Sequence, residues 1–210
     1  MRIPTREEIR QICDQRFSPE VYQKMQAASA AIAGLGGLGS NIAVMLARTG
    51  IGKLKLIDFD RVDLSNLNRQ VYDIRHLGRK KTEALAERLR EINPYLDLEV
   101  CDCKVTAENA CGLLAGYPYI CEAFDDPEAK AMLAEHVLLG LPQAYLIAGS
   151  GMAGWGDTDR IHTRRAGKRF FICGDEETDI GDGTGLMAPR VAVCAGHQAN
   201  KVVQLILQEL

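Results

Sequence analysis

Three glycines between an apolar segment and a helix-forming segment constrain the fold more than any other feature of this sequence. Gly34, Gly36 and Gly39 have the spacing G-x-G-x-x-G. They follow an apolar strand predicted at 29–34 and open a helix that is predicted to end at Gly50. In such a unit, backbone N–H groups and the helix dipole bind a phosphate group. The pattern therefore predicts an α/β fold with a nucleotide site at the glycine loop.

Apolar strands and helices alternate along the rest of the chain. The alternation predicts a Rossmann-like, doubly wound, mainly parallel sheet with helices on both faces. It also predicts a small antiparallel hairpin near the C-terminus, which turns around Ala166-Gly167. The predicted strands are 54–60, 97–103, 117–124 and 143–149, with hairpin strands at 160–165 and 168–174. The predicted helices run from near Gly78-Arg79 to Asn93-Pro94, over 130–140 and over 190–210.

Length and charge limit the number of domains and the kinds of partner that the chain can have. Its 210 residues suffice for one core, so we expect a single domain over 1–210 with a helical arm at 1–27 that breaks at Ser18-Pro19. The net charge of −3 gives no attraction for a polyanion, which predicts no nucleic-acid partner. No apolar run approaches the roughly 20 residues of a membrane span, and the start lacks a signal-peptide core. We therefore expect a soluble, cytoplasmic protein without a membrane partner.

The seven cysteines follow no metal-binding or disulfide spacing. They stand at positions 13, 101, 103, 111, 121, 173 and 194, without a C-x-x-C pair, so neither a disulfide framework nor a structural zinc site is expected. Cys101 and Cys103 share one face of a predicted strand, and buried structural thiols are the favoured interpretation. Cys173 is a candidate nucleophile beside a Gly-rich acidic loop, although nearby acids raise a thiol pKa and favour a structural role.

A second polar loop favours adenylation over the other reactions that use a glycine-rich nucleotide loop. Asp58 follows the last glycine of the motif by 19 residues, where a carboxylate accepts ribose hydroxyls. The segment DFDRVDLSNLNRQ then supplies Asn66 and Arg69, and Lys81 follows. Acyl adenylation needs cations and amide donors around an α-phosphate that a carboxylate attacks, and these residues meet that need. Asp125 follows a predicted strand, at the edge of the sheet where a Mg²⁺ that bridges the phosphates needs an oxygen ligand.

The strings GLGGLGSNIAVMLARTGIGKLKLIDFD, SNLNRQ and AFDD, with Lys81, resemble the adenylation domain of the ThiF/MoeB/HesA superfamily, which has the ubiquitin-activating-enzyme-like fold. The resemblance covers roughly residues 20–150, and the ending GLMAPRVAVCAGHQANKVVQLIL is similar to short ThiF proteins of thiamine biosynthesis. It implies an adenylyltransferase that uses ATP and Mg²⁺. Its substrate would be the C-terminal glycine of a ubiquitin-like sulfur carrier, here ThiS-like with a Gly-Gly end, and pyrophosphate would be released.

The resemblance also implies a role for each matching residue. Asp58 takes the ribose, Ser65 to Arg69 surround the phosphates, Lys81 is the phosphate lysine and Asp125 is the magnesium-associated residue. The family's Asp-Asn pair is Asp125-Asp126 here, so the expected amide is missing. The implied catalytic residues are Arg69, Lys81, Asp125 and Arg16. The implied cofactor-binding residues are Gly34, Gly36, Gly37, Gly39, Asp58, Asp60, Ser65, Asn66, Asn68, Arg69, Lys81, Asp125 and Asp126.

Members of the superfamily place an N-terminal arginine in the site of a partner subunit. Arg16 is the candidate here, with Arg10 second, and an arginine acting in trans implies a homodimer. The paired C-x-x-C motifs of longer relatives are absent, which again predicts no structural zinc. The chain also ends where larger relatives add catalytic-cysteine, ubiquitin-fold or rhodanese domains, so adenylation is a firmer expectation than thioester formation.

Three other functions stay open. The same ATP site would serve an enzyme that activates another substrate, such as a molybdopterin-type carrier or a tRNA base, as in cyclic-dehydratase relatives. A catalytically silent partner that binds a carrier would not need the intact charged set. A hydride-transfer enzyme would use the glycine motif for a nicotinamide nucleotide, and binding of ATP in place of NAD would exclude it.

Overall fold

A seven-stranded sheet organises the computed structural model, which describes residues 2–208. The strand order is β3-β2-β1-β4-β5-β7-β6, and every neighbouring pair is parallel except β6 with β7. This arrangement confirms the predicted fold class, including the C-terminal antiparallel hairpin, although the hairpin turns at Lys168-Arg169 and not at Ala166-Gly167, which belong to β6. The strands are β1 (Ser29–Ala33), β2 (Lys53–Asp58), β3 (Asp97–Asp102), β4 (Tyr119–Glu122), β5 (Tyr145–Gly149), β6 (His162–Gly167) and β7 (Phe170–Gly174).

Helices cover both faces of the sheet. Strand β1 is apolar at every position after its first residue because both of its faces are buried: Ala30 and Ile32 face one core, and Ala31 and Ala33 face the other. Helices α3, α4 and α7 cover the first core, and α5 and α6 cover the second. These helices are α3 (Gly37–Arg48), α4 (Lys81–Ile92), α5 (Ala110–Leu114), α6 (Pro127–Gly140) and α7 (Ala188–Gln208).

The arm segment contains two helices, α1 (Arg6–Phe17) and α2 (Pro19–Ala27). Helix α1 starts with a capping box, in which Thr5 and Glu8 exchange side-chain and backbone hydrogen bonds, but it buries no residue. Ser18 separates the helices with φ of 97° and accepts a hydrogen bond from the Val21 amide. The arm is therefore anchored in the core by the buried Tyr22 and Met25 of α2, while α1 contacts the rest of the chain through Arg6, whose guanidinium lies 5.2 Å from the ring centre of Tyr95.

Several element boundaries differ from the predictions. Helix α4 begins at Lys81 because Val62 pairs with residues 78 and 79 and Arg61 forms a bridge with Lys80, which keeps this segment extended. Helix α6 begins at Pro127, three residues before the apolar segment 130–140, and Pro127 in its first turn together with Asp126 as N-cap accounts for this start. The short helix α5 was not predicted, and the last two residues of the predicted helix 190–210 lie outside the described residues. Over the described part of the chain, no helix combines the length and apolarity of a membrane span.

Candidate nucleotide-binding site

A cavity of about 610 Å³ opens at the carboxyl ends of the parallel strands. Strands β2 and β3 lie on one side of β1, and β4 and the strands after it lie on the other side. The strand order therefore reverses direction between β1 and β4. Ligands of open α/β sheets bind in the crevice outside such a switch point. Ten of the predicted site residues line this cavity: Gly34, Gly36, Gly37, Asp58, Asp60, Asn66, Arg69, Lys81, Asp125 and Asp126.

Asp58 holds the glycine loop in place. Its carboxylate accepts hydrogen bonds from the Leu35 amide at 2.6 Å and from the Asp60 amide at 2.7 Å. Gly34 has φ of +89°, and a Cβ there would lie 2.7 Å from the carbonyl oxygen of Ala123, so only glycine fits. The predicted ribose ligand is thus fixed by the same loop that is predicted to bind the phosphates.

The first turn of α3 leaves its backbone donors without a side-chain cap. Gly36 is the N-cap residue and provides no side-chain hydrogen bond, while Gly37 lines the cavity beside Arg69. Orphan N–H groups at a helix N-terminus attract anions. Gly39 has a different place from the predicted one, because it lies outside the cavity lining, and its α-carbon packs against the Gly34 carbonyl.

The two predicted phosphate cations reach the cavity from separate elements. Arg69 donates from Nη1 to the Ser65 carbonyl at 2.9 Å and to Asn68 Oδ1 at 2.8 Å, while its buried Nε has no hydrogen-bond partner. Lys81, the first residue of α4, is 6% exposed, and its Nζ lies 2.7 Å from Asp60 Oδ2. The side chains of Asn68 and Ser65 lie outside the cavity lining, unlike the prediction for these two residues.

The adjacent aspartates after β4 divide two tasks. Asp126 is the N-cap of α6 and accepts a hydrogen bond from the Glu128 amide at 3.1 Å. Asp125 lines the cavity with an exposed side chain. Mg²⁺ in nucleotide sites takes one or two carboxylates together with phosphate oxygens and water, so this donor set fits magnesium. Among residues 2–208, no group of three or more His, Cys, Asp or Glu side chains is arranged to hold a metal ion.

Sequence reasoning missed a buried pair beneath these aspartates. The Glu122 carboxylate accepts from the Phe124 amide at 2.6 Å and lies 2.9 Å from the ammonium group of Lys130. Burial raises the pKa of Glu122, and the charge of Lys130 opposes that effect. Lys130 also donates to the Phe124 carbonyl at 2.9 Å, so the pair fixes the loop that carries Asp125.

A second missed group forms the cavity wall over β5 and β7. Loops 149–153 and 176–180 line this wall, and the Asp175 amide links them by donating a hydrogen bond to the Gly151 carbonyl at 2.9 Å. Asp175 accepts from the amides of Glu177 and Thr178, pairs with the buried Arg190, and has a lowered pKa because these bonds outweigh the effect of burial. Arg190 donates in turn to the Asp157 carbonyl. The Gly-rich string GSGMAGWGD and the acidic string GDEET are the sequence signals for this wall.

Two further predicted residues lie away from the cavity. Cys173 is fully buried, burial raises its pKa to about 11, and its carbonyl accepts a hydrogen bond from Cys194, features that favour a structural thiol over a nucleophile. Arg16 is exposed in the last turn of α1, so its predicted role in a partner subunit stays a prediction. A larger cleft of about 1460 Å³ between the arm and α4 contains none of the predicted site residues.

The switch-point cavity, the glycine loop and the Asp58 carboxylate define a nucleotide-binding α/β protein of the Rossmann-like class. The chain belongs to the ThiF family, whose model matches residues 9–209. This confirms the family that the motifs predicted.

Curated relatives include proteins with different named activities. The tRNA threonylcarbamoyladenosine dehydratase of Escherichia coli is 40% identical over 119 residues, which is 56% of this chain and 44% of that protein. The sulfur carrier protein adenylyltransferase of Thermus thermophilus is 32% identical over 147 residues, 67% of this chain and 54% of that protein. The chain spans about half the length of these curated relatives. The predicted enzyme class, adenylyltransferase, thus occurs among its relatives.

Solved structures agree with the fold over its whole length. The E. coli tRNA N6-threonylcarbamoyladenosine dehydratase in complex with ATP superposes with a TM-score of 0.87 at 25% identity, covering 100% of this chain and 98% of that one. E. coli MccB with ATP gives a TM-score of 0.69 at 22% identity, over 90% of this chain and 58% of that one. The predicted specificity for a thiamine-type carrier has no counterpart among these names, and the predicted absence of a nucleic-acid partner stays a prediction.

Proposed function

We propose that this protein is an ATP-dependent adenylyltransferase, which joins AMP to a substrate carboxylate and releases pyrophosphate. The observation that carries the proposal is the convergence of Asp58, Arg69, Lys81 and Asp125 on one cavity at the switch point. A dinucleotide-dependent enzyme needs the glycine loop and Asp58, but it has no use for two further cations beside the phosphates. The likeness to two ATP-bound structures supports the choice of ATP.

Each residue has a distinct task in this reaction. Asp58 accepts the ribose hydroxyls, and the first turn of α3 binds phosphate oxygens through its amides. Arg69 and Lys81 stabilise the negative charge that builds up when the carboxylate attacks the α-phosphorus and pyrophosphate departs. A carboxylate is ionised at neutral pH, so no general base is required. Asp125 would hold a magnesium ion, which would neutralise charge on the phosphates.

We propose that the acceptor is the C-terminal glycine of a ThiS-like sulfur carrier for thiazole formation in thiamine biosynthesis. The charge of the cavity supports a peptide acceptor over a polyanion, because acidic side chains outnumber basic ones in its lining. The acidic members are Asp58, Asp60, Asp125, Asp126, Glu176, Glu177 and Asp179, and the basic members are Arg69, Lys81, Lys104 and Lys130. The sulfur carrier protein adenylyltransferase of T. thermophilus is consistent with this acceptor.

The test is ATP–pyrophosphate exchange with a purified ThiS-like carrier that ends in Gly-Gly. The matched control is the same carrier without its last glycine. We expect exchange, and a carrier mass increased by an adenylyl group, only with the intact terminus. Absence of exchange with every Gly-Gly carrier tried, by a protein that binds ATP and melts cooperatively, would refute this acceptor.

A second candidate acceptor is threonylcarbamoyladenosine in tRNA. The dehydratase of E. coli supports it, with 40% identity in sequence and a TM-score of 0.87 in its ATP complex. The threonyl group of that nucleoside ends in a carboxylate, so the same adenylation would activate it for loss of water. Exchange that depends on tRNA bearing this nucleoside, and not on a carrier, would establish this candidate in place of the first.

We further propose that residues 1–210 act as one domain in a homodimer, with Arg16 completing the site of the partner subunit. Mixing Arg16→Ala and Lys81→Met variants tests this arrangement. If Arg16 acts in trans, a mixed dimer has one site with both residues and regains exchange that neither variant shows alone.

A catalytically silent scaffold, by contrast, predicts that Arg69→Ala loses no activity and that ATP binding is weak.

A further inference from the structure

Two cysteine thiols lie in contact at the edge of the nucleotide cavity. The Sγ atoms of Cys101 and Cys103 are 3.2 Å apart. Cys101 is in β3 and Cys103 follows directly after its last residue, so the two alternate side chains point to the same side. Both side chains are half-buried and pack against the core beneath α5 and α6. At this distance one thiol donates a hydrogen bond to the other.

The position of the pair links it to the nucleotide site. Asp102, the last residue of β3, is in register with Asp58, the predicted ribose ligand. Cys103 follows the end of this ladder and begins segment 103–105, which lines the cavity. Lys104 in this segment has its ammonium group 5.8 Å from the ring centre of Phe59. A change at Cys103 therefore changes the cavity wall next to Asp58.

We propose that Cys101 and Cys103 form a dithiol modification site, which a peroxide closes to a disulfide, and that closure weakens nucleotide binding. The inference rests on the proposed function only for the identity of the nucleotide. In the first step, a thiolate attacks one oxygen of hydrogen peroxide, the O–O bond breaks and the departing hydroxide takes a proton to become water. In the second, the other sulfur attacks the sulfenic acid, the S–S bond forms and a second water leaves. Two electrons pass from the two sulfurs to the peroxide.

The surroundings assign the two sulfurs to different steps. Burial and the hydrogen bond with Cys101 raise the pKa of Cys103 to about 11, with smaller and opposite effects of Lys55 and Asp102. The raised pKa disfavours the thiolate of Cys103, so the first attack on the peroxide is assigned to the neighbouring sulfur of Cys101. The Cys103 sulfur then attacks the sulfenic acid and gives up its proton to the departing hydroxide, which leaves as water.

Disulfide closure needs a small movement that the fold directs into the cavity wall. The S–S bond length is about 2.05 Å, so the sulfurs must approach by about 1.1 Å from their present contact. The strand is hydrogen-bonded to β2 as far as Asp102, whereas residues 103–105 lie beyond the ladder. We expect segment 103–105 to take up the shift. Because this segment lines the cavity, we expect the affinity for ATP to fall at least fivefold.

The experiment compares reduced and peroxide-treated full-length protein. Free thiols are blocked with N-ethylmaleimide, and trypsin then releases residues 91–104, a peptide that contains Cys101 and Cys103 and no other cysteine. Binding of ATP with Mg²⁺ is measured by calorimetry on the same samples. Cys101→Ser removes the proposed thiolate, and Cys111→Ser is the matched control at a half-buried cysteine outside the cavity.

The proposal is supported if the peptide loses two hydrogen atoms and gains no maleimide, and the ATP affinity falls and returns with a reductant. Cys101→Ser should then keep its affinity under peroxide, while Cys111→Ser should behave as the wild type. A peptide that still takes two maleimides, that gains oxygen atoms, or that closes without a change in affinity would overturn it. Failure of the reduced protein to bind ATP would instead refute the proposed function, since the peptide mass reports on closure independently.

Discussion

Replacing Gly39 by alanine tests the close approach between α3 and the glycine loop. A Cβ at this position would lie 1.8 Å from the Gly34 carbonyl oxygen, whereas real contacts of this kind stay beyond 3.0 Å. The loop cannot retreat, because the Gly34 amide is bonded to the Ile57 carbonyl at 2.9 Å and Ala123 packs behind it. Helix α3 must therefore move by about 1.2 Å.

The cost of this movement is calculable to an order of magnitude. Overpacking that shifts backbone costs up to about 3 kcal/mol, which lowers Tm by about 6 to 12 °C in a chain of this size. The shift also moves the first turn of α3, whose uncapped amides are proposed to bind the phosphates, so we expect ATP affinity to fall at least tenfold. Differential scanning fluorimetry and calorimetric titration with ATP measure the two effects.

Gly196→Ala is the matched control for this substitution. Gly196 also lies inside a helix, α7, but a Cβ there meets nothing within 4 Å. An alanine in open helix interior stabilises by about 0.5 to 1 kcal/mol, so this variant should melt slightly above the wild type. If Gly39→Ala behaved like Gly196→Ala, with unchanged ATP affinity, the steric reasoning would be refuted.

Four further outcomes are expected. Lys81→Met lowers ATP–pyrophosphate exchange about 100-fold with little change in Tm, because it removes one cation from the developing charge. Asp125→Asn raises the Mg²⁺ concentration for half-maximal exchange, measured by metal titration. The hydrogen bond from Lys55 holds the pKa of Glu99 at about 2, below its ordinary 4.5. In urea melts the wild type should therefore be more stable than Glu99→Gln above pH 4.5, and this difference should shrink as the pH falls toward 2. Cys173 in the native protein should resist iodoacetamide at mildly alkaline pH, and peptide mapping that finds it alkylated before unfolding would contradict its burial.

Local patterns predicted the parts of the site that lie within one strand, loop and helix. The apolar run of β1, the glycine spacing and the acidic end of β2 are local patterns, and they predicted residues that line the cavity, namely Gly34, Gly36, Gly37 and Asp58, whose roles in nucleotide binding stay predictions. Gly39 fits the same motif, yet it serves the packing of α3 and not the lining of the cavity. The motif thus predicts that a glycine is needed at position 39, but it does not predict whether a ligand or another part of the chain lies against that glycine.

Other parts of the site depend on residues far apart in the chain. The start of α4 at Lys81 follows from pairing between residues 61–62 and 78–80, which no local propensity encodes. The wall formed by loops 149–153 and 176–180 depends on the ion pair between Asp175 and Arg190. Such contacts are invisible to periodicity, because periodicity records only which face of an element is apolar.

The sequence by itself determined the fold class, the glycine loop and the family, because apolar alternation and motif spacing are local properties of the chain. The tertiary structure decided which charges meet. It set Lys81 2.7 Å from Asp60, made Asp126 the helix cap while Asp125 faces the cavity, and placed Cys103 in the lining of the nucleotide cavity. The physical reason is that side-chain convergence depends on strand order and on the register between strands, which emerge only when the sheet is assembled.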